Sequence, residues 1–319
     1  MTAGVVLWFD YVPGSNPTWG TPRRVDFTPG RAAALGRYLA ARYAAFGLVW
    51  LVSGDTDLES PYACSVYDAA ARAIQENSPF PALLTAHMHG GLATPAWLNG
   101  RAWLGFHMFQ SSHNRESHHK AVDHARADRA LAPRRPVLNG EPLYEDIAYY
   151  CTTERASRAD VRKVAWFSLL GGGSAGITYG AHGLWSWHRA GEVFKPEPFW
   201  LRPKDWREAL ELPGAGDFAR MRDILGRYRW WTMEPLDAVT CEGGDAEAVA
   251  AVLDDGETVL LYVWGKGRVR LGLDGMNACR VTACDPAGGA AVDVSHRVLA
   301  EGLQVDWDGL ADVLVVVER

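Results

Sequence analysis

The sequence lacks a positive net charge and lacks any long apolar run. Its 32 Lys and Arg residues are outnumbered by 38 Asp and Glu residues, which gives a formal net charge of −6 at pH 7. The arginines are scattered, so the chain offers no basic face of the kind that a phosphate backbone requires. No apolar stretch approaches the roughly 18 residues of a membrane span. We therefore expect neither nucleic acid nor a membrane among its partners.

Cysteine is also scarce, and its pattern excludes two classes of site. The five cysteines are an odd number without the short paired spacings of a zinc site or a disulfide framework. They are Cys64, Cys151, Cys241, Cys279 and Cys284. We expect most of them to be buried reduced thiols, and we expect no metal or other cofactor.

Aromatic residues, by contrast, are abundant, with 14 Trp in a chain of 319 residues. A content of 48% apolar and 22% charged residues is typical of a folded protein. The length exceeds the roughly 100 to 200 residues of an ordinary domain and predicts one large barrel or two domains. Abundant tryptophan suits a sugar-binding cleft, but it suits a large core equally well.

Strand-like and helix-like segments alternate through the first part of the chain. Apolar runs predict six strands, at 5–12, 48–52, 83–87, 104–109, 136–139 and 175–179. Amphipathic patterns and capping signals predict helices between them, at 31–46, 67–77, 115–129 and 159–170. Six strand-helix units predict an α/β fold with a parallel sheet or a barrel.

Helical periodicity disappears beyond residue 234. Short strands separated by Asp and Gly turns are predicted at 249–253, 258–264, 268–273 and 312–317. This pattern predicts a C-terminal antiparallel β-sandwich. We expect residues 1–234 to form the barrel-like domain and residues 235–319 to form the sandwich.

Two carboxylates follow predicted strands, where catalytic side chains of α/β barrels lie. Asp55 follows the second strand and Glu141 follows the fifth. Glycosidic cleavage needs such a pair, one to protonate the leaving oxygen and the other to attack carbon or activate water. A turn or N-cap role for Asp55 and a salt bridge for Glu141 are the structural alternatives. The joint occurrence at strand ends favours a catalytic pair.

Histidines also follow the strands and leave a metal site open as an alternative. His87, His89, His113 and His182, with Asp55 and Asp57, would suit zinc or iron. Their spacing matches no compact metal motif, so hydrogen-bonding roles are favoured. The glycine-rich segment 171–176 follows a helix and precedes a strand, which is the reverse of a phosphate loop. It predicts a tight helix-to-strand connection.

Three segments together resemble the apiosidase-like glycoside hydrolases of family 140. They are LVSGD, which ends at Asp55; PVLNGEPLYED, which contains Glu141; and TYGAHGLW, which starts at Thr178. The resemblance spans roughly residues 5–232. It implies a (β/α)8 TIM-type barrel and a retaining glycosidase, with Asp55 as acid/base and Glu141 as nucleophile.

The same resemblance implies a carbohydrate substrate, from plant cell walls or pectic oligosaccharides. Side chains at the strand ends are then expected to bind or orient the sugar. These are Trp19, His87, Gln110, His113, Tyr144, Tyr179, His182 and Trp185.

One departure from the family pattern concerns the start of the barrel. If Asp55 follows the fourth strand of the family, segment 5–12 is the third strand, so the first two β/α units are missing from this sequence. The expectation is then a barrel with an open edge that favours self-association, or a start codon placed too late, which would also remove any signal peptide. Localisation is therefore left open.

Two other functions remain alternatives at this point. One is an inactive, truncated barrel that serves as a carbohydrate-binding or scaffold protein, and the other is a metal-dependent hydrolase that uses the strand-end histidines. The tail from about residue 237 resembles a β-sandwich labelled as collagen-binding that often follows such barrels. A spacer or lid is the favoured role for it, because no aromatic platform is evident in the tail.

Overall fold

The computed structural model describes residues 3–7, 12, 27–56, 58, 60–273, 279–309 and 311–318. They belong to two units: the first is drawn from Met1–Gln110 and Ala127–Gly140, and the second from Ser111–Arg126 and Glu141–Arg319. Within the described part of the chain, no helix combines the length and the apolar character needed to cross a membrane.

The first unit alternates strands with helices. Its strands are β1 (Gly4–Val6), β2 (Val49–Leu51), β3 (Leu83–Thr85), β4 (His107–Gln110) and β5 (Val137–Glu141), of which the last residue belongs to the second unit. Its helices are α1 (Pro29–Tyr43), α2 (Pro61–Asn77) and α3 (Ala96–Asn99). Strands β1, β2 and β3 are parallel, with Trp50 opposite both Val5 and Leu84. The predicted parallel arrangement is confirmed for these strands.

Hydrogen bonds continue this series of strands toward β5. Leu84 and Leu104 form a parallel bridge, and the Thr85 hydroxyl donates to the Phe106 carbonyl at 2.7 Å. The His107 N–H donates to the Pro136 carbonyl at 2.8 Å, which places β5 beside β4. The ends of β2, β3 and β4 are thereby brought to one edge.

Helices α1 and α2 begin with the same sequence signal. Thr28 caps α1 with its side-chain oxygen and is followed by Pro29, as predicted. Ser60 and Pro61 repeat this arrangement at the start of α2. The predicted start at residue 67 was therefore wrong by six residues, because the Ser-Pro cap was overlooked.

Close packing of α1 on α2 depends on Gly36. A Cβ at this position would lie 2.7 Å from the Ala70 carbonyl oxygen and 3.1 Å from the Ala73 side chain. Only glycine lets the two helices approach this closely. Behind them, Trp50 and Ile74 are almost fully buried in one core.

The second unit begins with five helices and one short strand. These are α4 (Ser117–Arg129), of which the last three residues belong to the first unit, α5 (Arg158–Leu170), β6 (Gly176–Ile177), α6 (Glu197–Trp200), α7 (Trp206–Ala209) and α8 (Gly214–Leu225). Ser157 and Asp160 form a capping box at the start of α5, which lies where the sequence predicts it. The glycine-rich segment 171–176 connects α5 to β6, as predicted.

Two antiparallel sheets follow, and they confirm the predicted change from helices to antiparallel strands. Their strands are β7 (Glu234–Leu236), β8 (Val239–Glu242), β9 (Glu247–Val252), β10 (Thr258–Trp264), β11 (Gly267–Gly272), β12 (Arg280–Cys284), β13 (Ser295–Leu299), β14 (Gly302–Trp307) and β15 (Asp312–Glu318). One sheet has the order β12-β15-β10-β9-β7 and the other β13-β14-β11-β8. The sequence pattern does not predict β7, β8, β12, β13 or β14.

Strand β10 is buried on both faces. Leu261 packs into the core between the two sheets, whereas Leu260 and Tyr262 pack with Trp166 of α5. Burial on both faces explains the continuous apolar run of this strand. Because one core joins α5 and α8 to the antiparallel strands, the second unit extends across residue 234. The division into domains 1–234 and 235–319 stays a prediction.

A buried ion network lies beside this core. Arg162 of α5 donates to Asp312 at 2.8 Å and to Asp217 of α8 at 2.6 Å, and the Tyr262 hydroxyl donates to Asp312 at 2.7 Å. The three charged side chains are at most 5% exposed. A buried charge needs such partners, so this network fixes how α5 and α8 meet the antiparallel strands.

The cysteines differ from expectation in one respect. All five are described, and none forms a disulfide, but Cys151 and Cys241 are exposed and the other three are half-buried. The prediction that most are buried was wrong, because they lie in a loop, in a helix near its start, or on or beside outer strands of the sheets.

Candidate active site

Asp55 lies in a small polar cluster in the first unit, which we call the Asp55 cluster: Asp55, His87 and Gln110. The Asp55 backbone N–H donates to His87 Nδ1 at 3.1 Å, and Gln110 Nε2 donates to Asp55 Oδ1 at 3.4 Å. The three residues come from the ends of β2, β3 and β4. Three of the predicted site residues are thus brought together.

Asp55 has an unusual backbone conformation, and its side chain is accessible to solvent. Its φ of +46° lies in the left-handed region, which Asp tolerates better than most residues and which recurs at functional sites. The side chain is 27% exposed, against 4% for His87. Because His87 Nδ1 accepts the Asp55 N–H, the neutral imidazole carries its proton on Nε2. A partly exposed carboxylate in this setting can exchange a proton with a bound substrate.

Glu141 ends β5 and belongs to a second cluster, which lies in the second unit. His113 Nε2 lies 3.2 Å from Glu141 Oε1, and the two side chains are 10% and 15% exposed. The His113 ring packs on Tyr144, with centroids 4.4 Å apart, and meets the edge of Trp200 at 5.5 Å. We call these four residues the Glu141 cluster. It contains three predicted residues and one, Trp200, that the sequence reasoning missed.

The Glu141 carboxylate is therefore oriented by an imidazole that aromatic rings hold in place. A carboxylate with one oxygen engaged and the side chain still partly accessible can act as a nucleophile toward carbon. The aromatic rings of Tyr144 and Trp200 exclude water from one side of His113, which strengthens its hydrogen bond to Glu141.

Tyr179 contacts a different carboxylate, that of Glu145. Its hydroxyl donates to Glu145 Oε2 at 2.6 Å, and the Gly214 N–H donates to the same oxygen at 2.8 Å. Burial, together with the hydrogen bond to Glu145, raises the pKa of Tyr179 above its usual value, so the phenol stays protonated. The structure thus places the Tyr179 hydroxyl in a structural contact, and its predicted role in sugar binding stays a prediction.

His182 and Trp185 form a connected pair. His182 is fully buried, its Nε2 lies 2.9 Å from the Leu201 carbonyl, and its Nδ1 accepts the Trp185 indole N–H at 3.1 Å. Burial lowers the pKa of His182 to about 4, so the ring is neutral and both nitrogens are engaged. These contacts favour a positioning role for His182 over a metal ligand. The Trp185 ring remains 47% exposed and can offer a face to a sugar.

A further aromatic surface lies nearby in the chain. Trp187 is 56% exposed and stacks on Trp206, with centroids 4.5 Å apart, and the Arg207 guanidinium lies 4.4 Å from the Trp206 ring centroid. These residues are not among the site residues predicted from the sequence. The spacing of Trp185 and Trp187 by two positions was a signal that could have indicated them.

Two residues from the sequence analysis, Trp19 and Asp57, lie outside the described residues.

Comparison with solved structures shows which known fold the chain shares. A structure described as a glycoside hydrolase superposes with a TM-score of 0.78 at 20% identity, over 92% of this chain and 69% of the other. A glycoside hydrolase family 5 protein from Bacteroides vulgatus ATCC 8482 gives 0.82 at 22% identity, over 100% and 70%. A second protein from that organism gives 0.59 at 15% identity, over 100% and 60%. The fold is therefore that of a glycoside hydrolase.

Comparison of the sequence with family models then identifies the family. The model described as "Apiosidase-like, catalytic domain" matches residues 1–232. The chain belongs to the apiosidase-like family. No curated protein sequence matches it.

Proposed function

We propose that this protein is a retaining glycoside hydrolase of family 140 that acts on plant cell-wall or pectic oligosaccharides. Glu141 is the nucleophile and Asp55 is the acid/base. The observation that supports the proposal most strongly is the setting of Glu141, which ends a strand, keeps part of its side chain accessible and has one oxygen held by His113. Family membership supplies the reaction class.

In the first step, Glu141 attacks the anomeric carbon while the bond to the leaving oxygen breaks and Asp55 gives that oxygen its proton. In the second step, Asp55 takes a proton from water, and the water oxygen displaces Glu141 from the anomeric carbon. Two displacements return the original configuration. This chemistry requires a carboxyl separation of about 5 to 5.5 Å when substrate is bound.

The neighbours of the two carboxylates have distinct parts in this scheme. Gln110 Nε2 donates to Asp55 Oδ1 and His87 Nδ1 accepts the Asp55 backbone N–H, so both neighbours hold the proposed acid/base in place. His113 orients the Glu141 carboxylate toward the sugar. Trp185, Tyr144 and the stacked pair Trp187 and Trp206 are proposed to pack against sugar rings.

The antiparallel region from Glu234 onward is proposed to be a packing module. Its strands share a core and a buried ion network with α5 and α8, so it supports the helices of the second unit. These contacts favour this role over collagen binding.

Hydrolysis of apiose-containing pectic oligosaccharides and aryl glycosides tests the proposal. We expect Glu141→Gln to lower kcat/KM by more than about 10³-fold, because nothing replaces the nucleophile. Asp55→Asn should lose about 10² to 10⁴-fold on oligosaccharides and much less on aryl glycosides whose leaving group needs no proton. Glu211→Gln, at an exposed glutamate, is the matched control and should retain activity.

Full activity of Glu141→Gln would refute the role of Glu141. Glycan binding without hydrolysis by the folded wild-type chain would favour the carbohydrate-binding alternative instead.

A further inference from the structure

Three side chains of the kinds that bind metal ions lie close together in the second unit: His118 and His119 of α4 and Glu247 of β9. His118 Nε2 lies 2.6 Å and His119 Nε2 lies 3.2 Å from the same oxygen, Glu247 Oε2. One donor atom from each residue lies within 4.8 Å of the others. We call these three residues the His118 cluster.

The convergence of two adjacent histidines is unusual for a helix. Consecutive helical residues point about 100° apart, so neighbouring side chains do not normally meet. Here the two imidazole rings lie 4.0 Å apart and direct their Nε2 atoms to one point. An ion pair with Glu247 would need only one of them.

The charge of Glu247 is moreover already balanced by Lys163. The Lys163 ammonium lies 2.5 Å from Glu247 Oε1, so it occupies the other carboxylate oxygen. The Lys163 contact orients the carboxylate so that Oε2 faces the imidazoles. Metal-binding carboxylates commonly have such an outer partner.

The cluster is closed on one side and open on the other. His118 is 8% exposed and meets the edge of the Phe167 ring at 5.1 Å. His119 is 59% exposed and Glu247 is 33% exposed. An ion could therefore enter from solvent, and one coordination position would face water.

We propose that His118, His119 and Glu247 form a zinc-binding site that ties the first turn of α4 to β9. Two imidazole nitrogens and one carboxylate oxygen are preferred Zn²⁺ ligands, at about 2.0 to 2.2 Å, with water in the fourth position. Ligand atoms that already lie within 4.8 Å of one another need only small side-chain rotations to reach those distances. The site is independent of the proposed catalytic carboxylates and would stabilise the second unit.

Isothermal titration calorimetry of the chelator-treated full chain with ZnCl₂ tests this inference. We expect one saturable site in the wild type and at least about 10-fold weaker binding in His119→Ala. His119 is exposed, so this variant should fold. His296→Ala, which removes an exposed histidine from β13, is the matched control and should bind zinc as the wild type does.

Thermal unfolding gives a second readout that does not depend on activity. Zinc should raise the Tm of the wild type and of His296→Ala but not of His119→Ala, since an ion that binds only the folded state stabilises it. Equal affinity in all three proteins, or no saturable binding in the wild type, would overturn the proposal. The three residues would then form only an ion-pair network with Lys163.

Discussion

Two glutamates four residues apart have opposite expected roles, and this difference can be tested directly. Glu141 is proposed to act on substrate, whereas Glu145 is 3% exposed and accepts hydrogen bonds from the Tyr179 hydroxyl and the Gly214 N–H. Gly214 is the first residue of α8, whose N-cap, Pro213, offers no side-chain hydrogen bond. Glu145 therefore supplies the acceptor that this helix start lacks.

The effect of Glu145→Gln on the free energy of unfolding follows from these contacts. An amide oxygen can still accept both bonds, but each loses its charge assistance, which is about 1 kcal/mol per bond. Loss of the negative charge at the start of α8 adds about 0.3 to 1 kcal/mol. We expect the free energy of unfolding to fall by about 2 to 3 kcal/mol. Glu145→Ala should lower the free energy of unfolding by about 4 kcal/mol, because the half-buried Tyr179 hydroxyl and the buried Gly214 N–H both lose their acceptor.

Urea unfolding and steady-state hydrolysis, measured on the same preparations, separate the two glutamates. Glu145→Gln should shift the unfolding midpoint and keep most of kcat at a temperature where the variant is folded. Glu141→Gln should leave the midpoint nearly unchanged and abolish turnover. A Glu145→Gln variant as stable as the wild type would refute the structural role assigned to Glu145.

Two further predictions concern a glycine and a buried histidine. A methyl group on Gly180 would overlap the Tyr144 ring, which packs on His113, so Gly180→Ala should lower kcat/KM by about 10²-fold. Gly216→Ala, at a helix position with open space, is the control and should retain activity. Equal rates for the two variants would contradict this prediction. His107 is fully buried, and no hydrogen-bond partner for its ring nitrogens is found among the described residues. Burial lowers the pKa of His107 from 6.5 to about 4, with a smaller contribution from the nearby Arg135. Its neutral form therefore stabilises the fold fully above pH 6.5, and this contribution is lost as the pH falls toward 4. Between pH 7 and pH 5 the free energy of unfolding of His107→Leu should therefore fall by about 2 kcal/mol less than that of the wild type. Urea titrations at the two pH values measure this difference, and an equal fall in both proteins would refute the prediction.

The strand ends of the candidate site could be predicted from the sequence because their signals are local. Apolar runs predicted β2 and β5, and the polar residues that follow them predicted Asp55 and Glu141. His87 and Gln110 were selected by the same rule, and the structure places both beside Asp55.

What the sequence did not reveal depends on tertiary contacts. Nothing local distinguishes Glu145 from Glu141, since only the folded chain brings Tyr179 and Gly214 to Glu145. Helix α8 was missed because its identity rests on packing against α5 and the antiparallel strands.

Several strands of the antiparallel region were missed for a related reason. β13 is exposed along most of its length, so it carries no apolar alternation that a strand pattern could detect. Strand β10 was predicted at its observed bounds, because burial on both faces makes its apolar run unmistakable.

Trapping of the covalent intermediate tests the central claim most directly. An aryl glycoside that carries fluorine at C2 slows breakdown of the glycosyl-enzyme, so the intermediate accumulates and can be located by peptide mass spectrometry. We expect one sugar adduct per chain, on Glu141, and none in Glu141→Gln. An adduct on another carboxylate, or turnover with inverted product configuration and no adduct, would contradict it.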